Sequence, residues 1–204
     1  MFRRINNDKI SNVLNYFASQ IDYLSMTKTL KLLYILDETS IKETGTPVTW
    51  LDYKVWEKGP VAIDVYNEIT KQETFNYQGK ELSLLQSVEL EKKFNADRNS
   101  EEVFLKPNGN FDETIFNRYE LKLLDTIVFK YGNWNATELI EFLHEEGSLW
   151  HKMVSKHDLK NHFKKISKIT NHSIEFNDLI QGNPVLQMAA KSSFEALSFQ
   201  ESIS

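Results

Sequence analysis

Tyr53-Lys54-Val55-Trp56-Glu57-Lys58-Gly59-Pro60-Val61-Ala62-Ile63-Asp64-Val65-Tyr66 is the stretch in which the chain passes from extended to helical character. Tyr53 and Val55 suit a half-buried strand, because aromatic and β-branched side chains pack well on a pleated surface. Gly59 can take backbone angles closed to other residues, and Pro60 fits the first turn of a helix. Val61, Val65 and Ile69 then recur at helical spacing. The reading is a short aromatic strand within residues 48–56, a turn at Gly59-Pro60, and a helix over residues 61–69.

On the N-terminal side, Asp8 reads as a helix cap ahead of Ile10, Val13, Leu14, Phe17 and Ile21, with Asn12, Asn15, Ser19 and Gln20 mostly on the opposite face. Ser25 reads as the cap of a second helix, in which Met26, Leu30, Leu33, Tyr34, Asp37 and Ile41 form one stripe. Leu32, Ile35 and Leu36 make its other side apolar too, so this helix belongs at the buried centre. Gly45 and Pro47 mark its end.

On the C-terminal side the signal weakens over residues 71–100. Leu84, Leu85 and Val88 fit a short helix, whereas Val88 and Leu90 alternating with Glu89 and Glu91 fit a strand, and the pattern does not decide. Val103-Phe104-Leu105-Lys106 before Pro107-Asn108-Gly109 reads as a strand and turn, a candidate partner for the Tyr53 strand. Leu121, Leu124, Ile127, Val128 and Tyr131 restore a helical pattern that Gly132 stops. Asn135 with Glu138 then forms a capping box before Leu139, Phe142 and Leu143, and Gly147 closes that helix. Past Trp150 lysines accumulate over residues 152–168, with Leu159, Phe163 and Ile166 turned inward. Pro184 begins a final helix carrying Val185, Met188, Ala189, Phe194 and Leu197.

The fold class is mainly α, with a small two- or three-stranded β element, packed as a compact helical bundle. Residues 1–153 form the domain and residues 154–204 a C-terminal helical extension packed on it.

The composition limits the chemistry. The chain has 204 residues, a hydrophobic fraction of 41%, 7 Gly and 4 Pro, which is the balance of a folded globular protein. A net charge of -5 supplies no overall positive field, so nucleic acid is not the expected partner. The absence of cysteine removes disulfides, thiolate zinc sites and cysteine nucleophiles together. With no apolar run approaching a membrane span and no signal-peptide pattern, a cytoplasmic protein is expected.

His144-Glu145-Glu146-Gly147-Ser148-Leu149-Trp150-His151 fails as a zinc-protease motif, because a second histidine is needed four residues after His144 and Ser148 stands there. A metal or hydrolytic centre built on His144, Glu145 and His151 is the lesser reading, and a histidine beside a helix end the preferred one. Neighbouring carboxylates such as Glu145 and Glu146 point apart on a helix, so they form no acid/base pair. Asp37 lies on an otherwise apolar stripe and needs a salt bridge or hydrogen bond. Neither Gly-x-Ser-x-Gly nor a glycine-rich phosphate loop occurs. No catalytic residue, metal or cofactor is expected, and the protein is not expected to be an enzyme.

Three pieces in order carry a resemblance. They are Met26-Thr27-Lys28-Thr29-Leu30-Lys31-Leu32-Leu33-Tyr34, then Trp56-Glu57-Lys58-Gly59-Pro60-Val61 with Val65-Tyr66, then residues 139–150 with His144-Glu145-Glu146. Together they resemble the Panacea family, the SocA-like antitoxin domain, over residues 8–153. The resemblance implies a compact, mainly helical fold and an antitoxin that neutralises a cognate toxin by direct binding. The alternative it implies is a proteolytic adaptor that delivers a toxin or other client to a protease; members also occur in phages and mobile elements. It brings no catalytic residues. Leu33, Tyr34, Gly59 and Pro60 are expected to define the fold, and Trp56, Lys58, Tyr66, His144, Glu145 and Trp150 to meet the partner. The lysine-rich extension and terminal helix add to that surface, and an exposed apolar terminal helix would favour a homodimer. Members often carry Pro before the last Trp, where this chain has Leu149. No added DNA-binding domain is found, so transcriptional repression is not expected.

Overall fold

The computed structural model describes residues 3–77, 79–97 and 99–203. Its centre is helix α2 (Met26–Thr44), buried along most of its length. Ser25 caps it by accepting the Lys28 N–H at 3.3 Å, and Gly45 ends it with φ of 82° and an N–H donated to Ile41 O at 2.9 Å. Leu33 and Tyr34 are buried in the core that α2 organises. Asp37 is fully buried, as its place on the stripe requires, and its partners are hydrogen-bond donors rather than a cation. Its carboxylate accepts the N–H groups of Val48 and Thr49 at 2.8 Å each, the Tyr53 hydroxyl at 2.8 Å, and the Thr49 hydroxyl. These bonds fold the loop after Gly45 back along α2.

Helix α1 (Arg3–Gln20) buries Ile10, Val13, Leu14 and Phe17 as the spacing predicts. It begins before Asp8, which is therefore not a cap; its carboxylate accepts the Gln86 side-chain N–H at 2.7 Å. Asn12 and Asn15 are buried rather than solvated. Asn15 donates to Ser87 O at 2.7 Å, and Asn12 accepts the Asp112 N–H at 2.9 Å. Loops cross this second face, and their backbone groups need polar partners.

A three-stranded antiparallel sheet has β1 (Leu24–Ser25) beside β7 (Ser100–Pro107), and β7 beside β6 (Val88–Asn95). Leu105 sits opposite Leu24 on one side and Leu90 on the other. The ambiguous Val88 segment is thus a strand. The Val103 strand does not pair with the Tyr53 strand. That strand, β2 (Tyr53–Trp56), pairs instead with β3 (Gly59–Ala62), in the register Trp56 opposite Gly59 and Tyr53 opposite Ala62. A further small hairpin joins β4 (Phe75–Tyr77) to β5 (Lys80–Leu82).

Gly59 and Pro60 are therefore not the turn, which Glu57 and Lys58 make. Gly59 takes φ of 98° as the hairpin re-enters its ladder, and Pro60 faces Val55. Proline is tolerated there because β3, among the described residues, has only β2 as a strand neighbour and needs no second row of donors. Helix α3 (Ile63–Lys71) starts later than the Val61 spacing suggests. Residues 168–174 seal the other edge of β2: Val55 N–H donates to His172 O at 2.8 Å and Ile174 N–H to Tyr53 O at 2.7 Å.

Helices α4 (Arg118–Tyr131) and α5 (Ala136–His144) both begin with capping boxes, Asn117 with Glu120 and Asn135 with Glu138. Helix α5 ends at His144, ahead of Gly147. Helices α6 (Leu149–Lys156) and α7 (Leu159–Lys165) bury Leu159 and Phe163, but Ile166 is 76% exposed because α7 has ended. Helix α8 (Pro184–Ile203) leans on α1 and α2, and a Cβ at Gly45 would lie 2.3 Å from Leu186 O. Val185, Met188, Phe194 and Phe199 on it are exposed. Among the described residues, no helix is long and apolar enough to cross a membrane.

Candidate functional site

The three sequence pieces meet around one buried amine. Lys31, on the face of α2 turned to β3, is 2% exposed, and its Nζ donates to Pro60 O at 2.7 Å. That carbonyl belongs to an edge strand. Burial, and after it the nearby charge of Lys58, lower the Lys31 pKa to about 7. Gly59 lies directly over the amine: a Cβ there would stand 3.1 Å from Lys31 Nζ and 3.6 Å from His144 Nε2.

His144, at the end of α5, stacks face to face on Trp150, with ring centroids 3.6 Å apart and planes 5° from parallel. Its Nε2 is buried without a hydrogen-bond partner among the described residues. Burial, then the charge of Lys31, push the His144 pKa down to about 4, with Glu57 opposing them. The ring is neutral at neutral pH. Trp150 Nε1 donates to Trp56 O at 2.9 Å, tying α6 to the end of β2, and Trp56 meets Tyr66 edge to face with centroids 4.7 Å apart.

Chemically this is an interlock. A sealed amine bonded to a backbone carbonyl, beside a neutral imidazole, holds α2, the hairpin and the α5–α6 junction in one arrangement. Among the described residues, no group of three or more His, Asp or Glu side chains is placed to hold a metal ion.

The comparison with protein families agrees with this convergence. The model of the SocA-like antitoxin, Panacea domain, matches residues 30–151, which begins just before Lys31 and ends just after Trp150. This chain belongs to the Panacea family. No curated protein and no solved structure matches the chain.

Within the Panacea domain the residues expected at a partner surface separate by depth. Trp150 is only 7% exposed and its indole N–H is taken by Trp56 O, so it is an internal strut and not an exposed anchor. Trp56, Tyr66 and His144 are half-buried, with their rings engaged on one another or on Trp150. Lys58 and Glu145 are exposed. Lys58 lines a groove of about 630 Å³ with Thr27, Lys28, Trp134, Ser100 and Phe104. Glu145 lines a hollow of about 380 Å³ with Trp134, Glu138, Glu141 and Phe142. Gly59 and Pro60, expected to define the fold, lie over Lys31, whose amine bonds to the Pro60 carbonyl. Lys31 itself is the residue that reading the sequence for chemistry passed over. Its one signal is a cation inside the apolar run Leu30-Lys31-Leu32-Leu33-Tyr34. Lys28 is similar: it is buried and donates to Gly132 O.

Proposed function

We propose that this Panacea chain is a cytoplasmic antitoxin that neutralises a cognate protein toxin by direct binding and has no catalytic activity of its own. The observation that carries the reading is the family match over residues 30–151. The geometry supports it: the signature residues bond to one another, which suits a rigid frame that presents a surface better than it suits turnover. The concave surface beside Lys58 and the exposed residues of α8 are available to a partner.

Co-expression with the product of the neighbouring reading frame tests this. Growth arrest by that product alone, rescue by this chain, and a stable stoichiometric complex are expected. Rescue that disappears in protease-deficient cells would replace direct neutralisation with delivery of the toxin to a protease. Absence of both rescue and complex would end the antitoxin reading.

A further inference from the structure

We propose that the groove between β7 and the first turns of α2 and α5 accepts an extended segment of the partner protein, which adds to β7 as an antiparallel strand. The proposal deepens the antitoxin reading and rests on it for the identity of the partner.

The fold begins this strand and leaves it unfinished. β1 covers only Phe104 and Leu105 of β7, because Ser25 caps α2 and the chain departs into the helix at Met26. Over residues 100–103, β7 therefore has, among the described residues, β6 on one side and the groove on the other. An antiparallel strand directs the N–H and C=O groups of alternate residues to each side, so this edge is a template for another strand. Four residues of edge extend about 13 Å at the usual rise of a strand. The groove of about 630 Å³ is lined by them together with Thr27, Lys58 and Trp134. A segment entering in line with β1 would continue a pairing the fold already makes with Leu24 and Ser25, which is the recurring geometry of strand addition.

Charge narrows the occupant. Glu101 lies 3.8 Å from Lys92, Glu102 accepts the Asn95 side-chain N–H at 2.9 Å, and the Lys28 ammonium donates to Gly132 O. Lys58 is exposed and has no hydrogen-bond or ion-pair partner among the described residues. In the lining Lys28 and Lys58 balance Glu101 and Glu102, and among the described residues Lys58 is the one of these four with neither a hydrogen-bond nor an ion-pair partner, so the segment the groove fits bears an Asp or Glu facing Lys58. Main-chain bonds to β7 supply affinity, and that carboxylate supplies selectivity and speed of encounter.

The test is hydrogen exchange on the full chain with and without the product of the neighbouring reading frame, combined with binding by Thr27→Arg, which fills the groove, and by Lys58→Glu. In the complex, amide exchange over residues 100–103 is expected to slow by about tenfold or more. Each variant is expected to weaken binding by about tenfold or more with a melting temperature no lower than the parent's, since Lys58→Glu removes a charge that opposes the Lys31 ammonium. A complex that forms with protection elsewhere, and that Thr27→Arg leaves intact, overturns the strand-addition site while the antitoxin reading stands. If no complex forms, the antitoxin reading fails, and a displayed library of short random peptides selected on the full chain takes the partner's place. Acidic peptides that protect residues 100–103 and lose binding to Lys58→Glu would uphold the site. Failure to recover any such peptide overturns it.

Discussion

Gly59→Ala is the most direct probe of the interlock beneath the hairpin. Gly59 has φ of 98°, a conformation L residues rarely adopt, and a Cβ there would lie 3.1 Å from Lys31 Nζ and 3.3 Å from Lys31 Cε. Two costs combine. Forcing alanine into left-handed backbone costs about 1–2 kcal/mol. Moving the ammonium away from Pro60 O sacrifices a buried, charge-assisted hydrogen bond of 2.7 Å, which contributes about 1.5–3 kcal/mol. The sum is about 2.5–5 kcal/mol, read as a lower urea midpoint at unchanged slope. The measurement belongs near pH 6, below the Lys31 pKa of about 7, where the amine is mostly charged. The cycle with Lys31→Leu separates the two costs, because leucine lacks both atoms that the new methyl would meet. In that background Gly59→Ala should cost only the backbone part, leaving a coupling of about 1.5–3 kcal/mol between the sites. Equal costs of Gly59→Ala in the two backgrounds would refute the interlock.

The same amine predicts a pH dependence. With a folded-state pKa of about 7 against an ordinary 10.5, Lys31 binds fewer protons folded than unfolded in that window, so stability should rise with pH between the two values. Urea midpoints across that range in Lys31→Leu should show a flatter limb. His144 acts on the acid side: its pKa of about 4 lies below the ordinary 6.5, so stability should be lost as pH falls from 6.5 towards 4. His144→Phe, which keeps a ring on Trp150, should shrink that loss in the same titration. Asp37 has the opposite sign, being raised by burial from 3.8 to about 6, and cancels when His144→Phe is compared with its parent. Asp37→Ala should be the most damaging of these changes, because it strands the N–H groups of Val48 and Thr49 and the Tyr53 hydroxyl in the interior. A loss of about 3–5 kcal/mol, lowering the melting temperature by about 6–20 °C in a scanning calorimeter, is expected; a drop of a degree or two would show that water reaches the loop.

The helices that could be read from sequence are those whose signals are local. Ser25 and Gly45 bracket α2 because a cap and a left-handed terminus need only their own side chain or its absence. Asn135 with Glu138 opens α5 for the same reason. The errors fall where the deciding partner is distant. Asn15 looked solvated by helical phase, yet the backbone it serves, Ser87, is 72 residues away. Gly59-Pro60 looked like a turn because both residues favour turns. Their place in a strand depends on Pro60 needing no donor at an edge and on Lys31 taking its carbonyl. The partner of the Tyr53 strand was misassigned likewise: two strands separated only by Glu57 and Lys58 pair with each other before a distant strand can reach either.

Depth explains why the candidate residues were found and their roles were not. Gly59, Pro60, His144, Trp150 and Trp56 form one chain of contacts that starts at the Lys31 amine: Gly59 and Pro60 cover it, His144 lies beside Gly59, and Trp150 stacks on His144 and donates to Trp56 O. That chain of contacts is internal. A signature that describes how the frame closes over a buried lysine carries no information about a partner, since the Lys31 amine and the Trp150 N–H are taken by backbone carbonyls and the His144 ring is stacked on Trp150. On the antitoxin reading, partner choice rests on residues outside that closure, such as Lys58 on the hairpin turn and Thr27 on the first turn of α2, which line the groove. If this is right, replacing Lys58 and Thr27 should change which partner is bound without loss of stability, whereas any change at Lys31, Gly59 or Trp150 should reduce stability and the binding of every partner together.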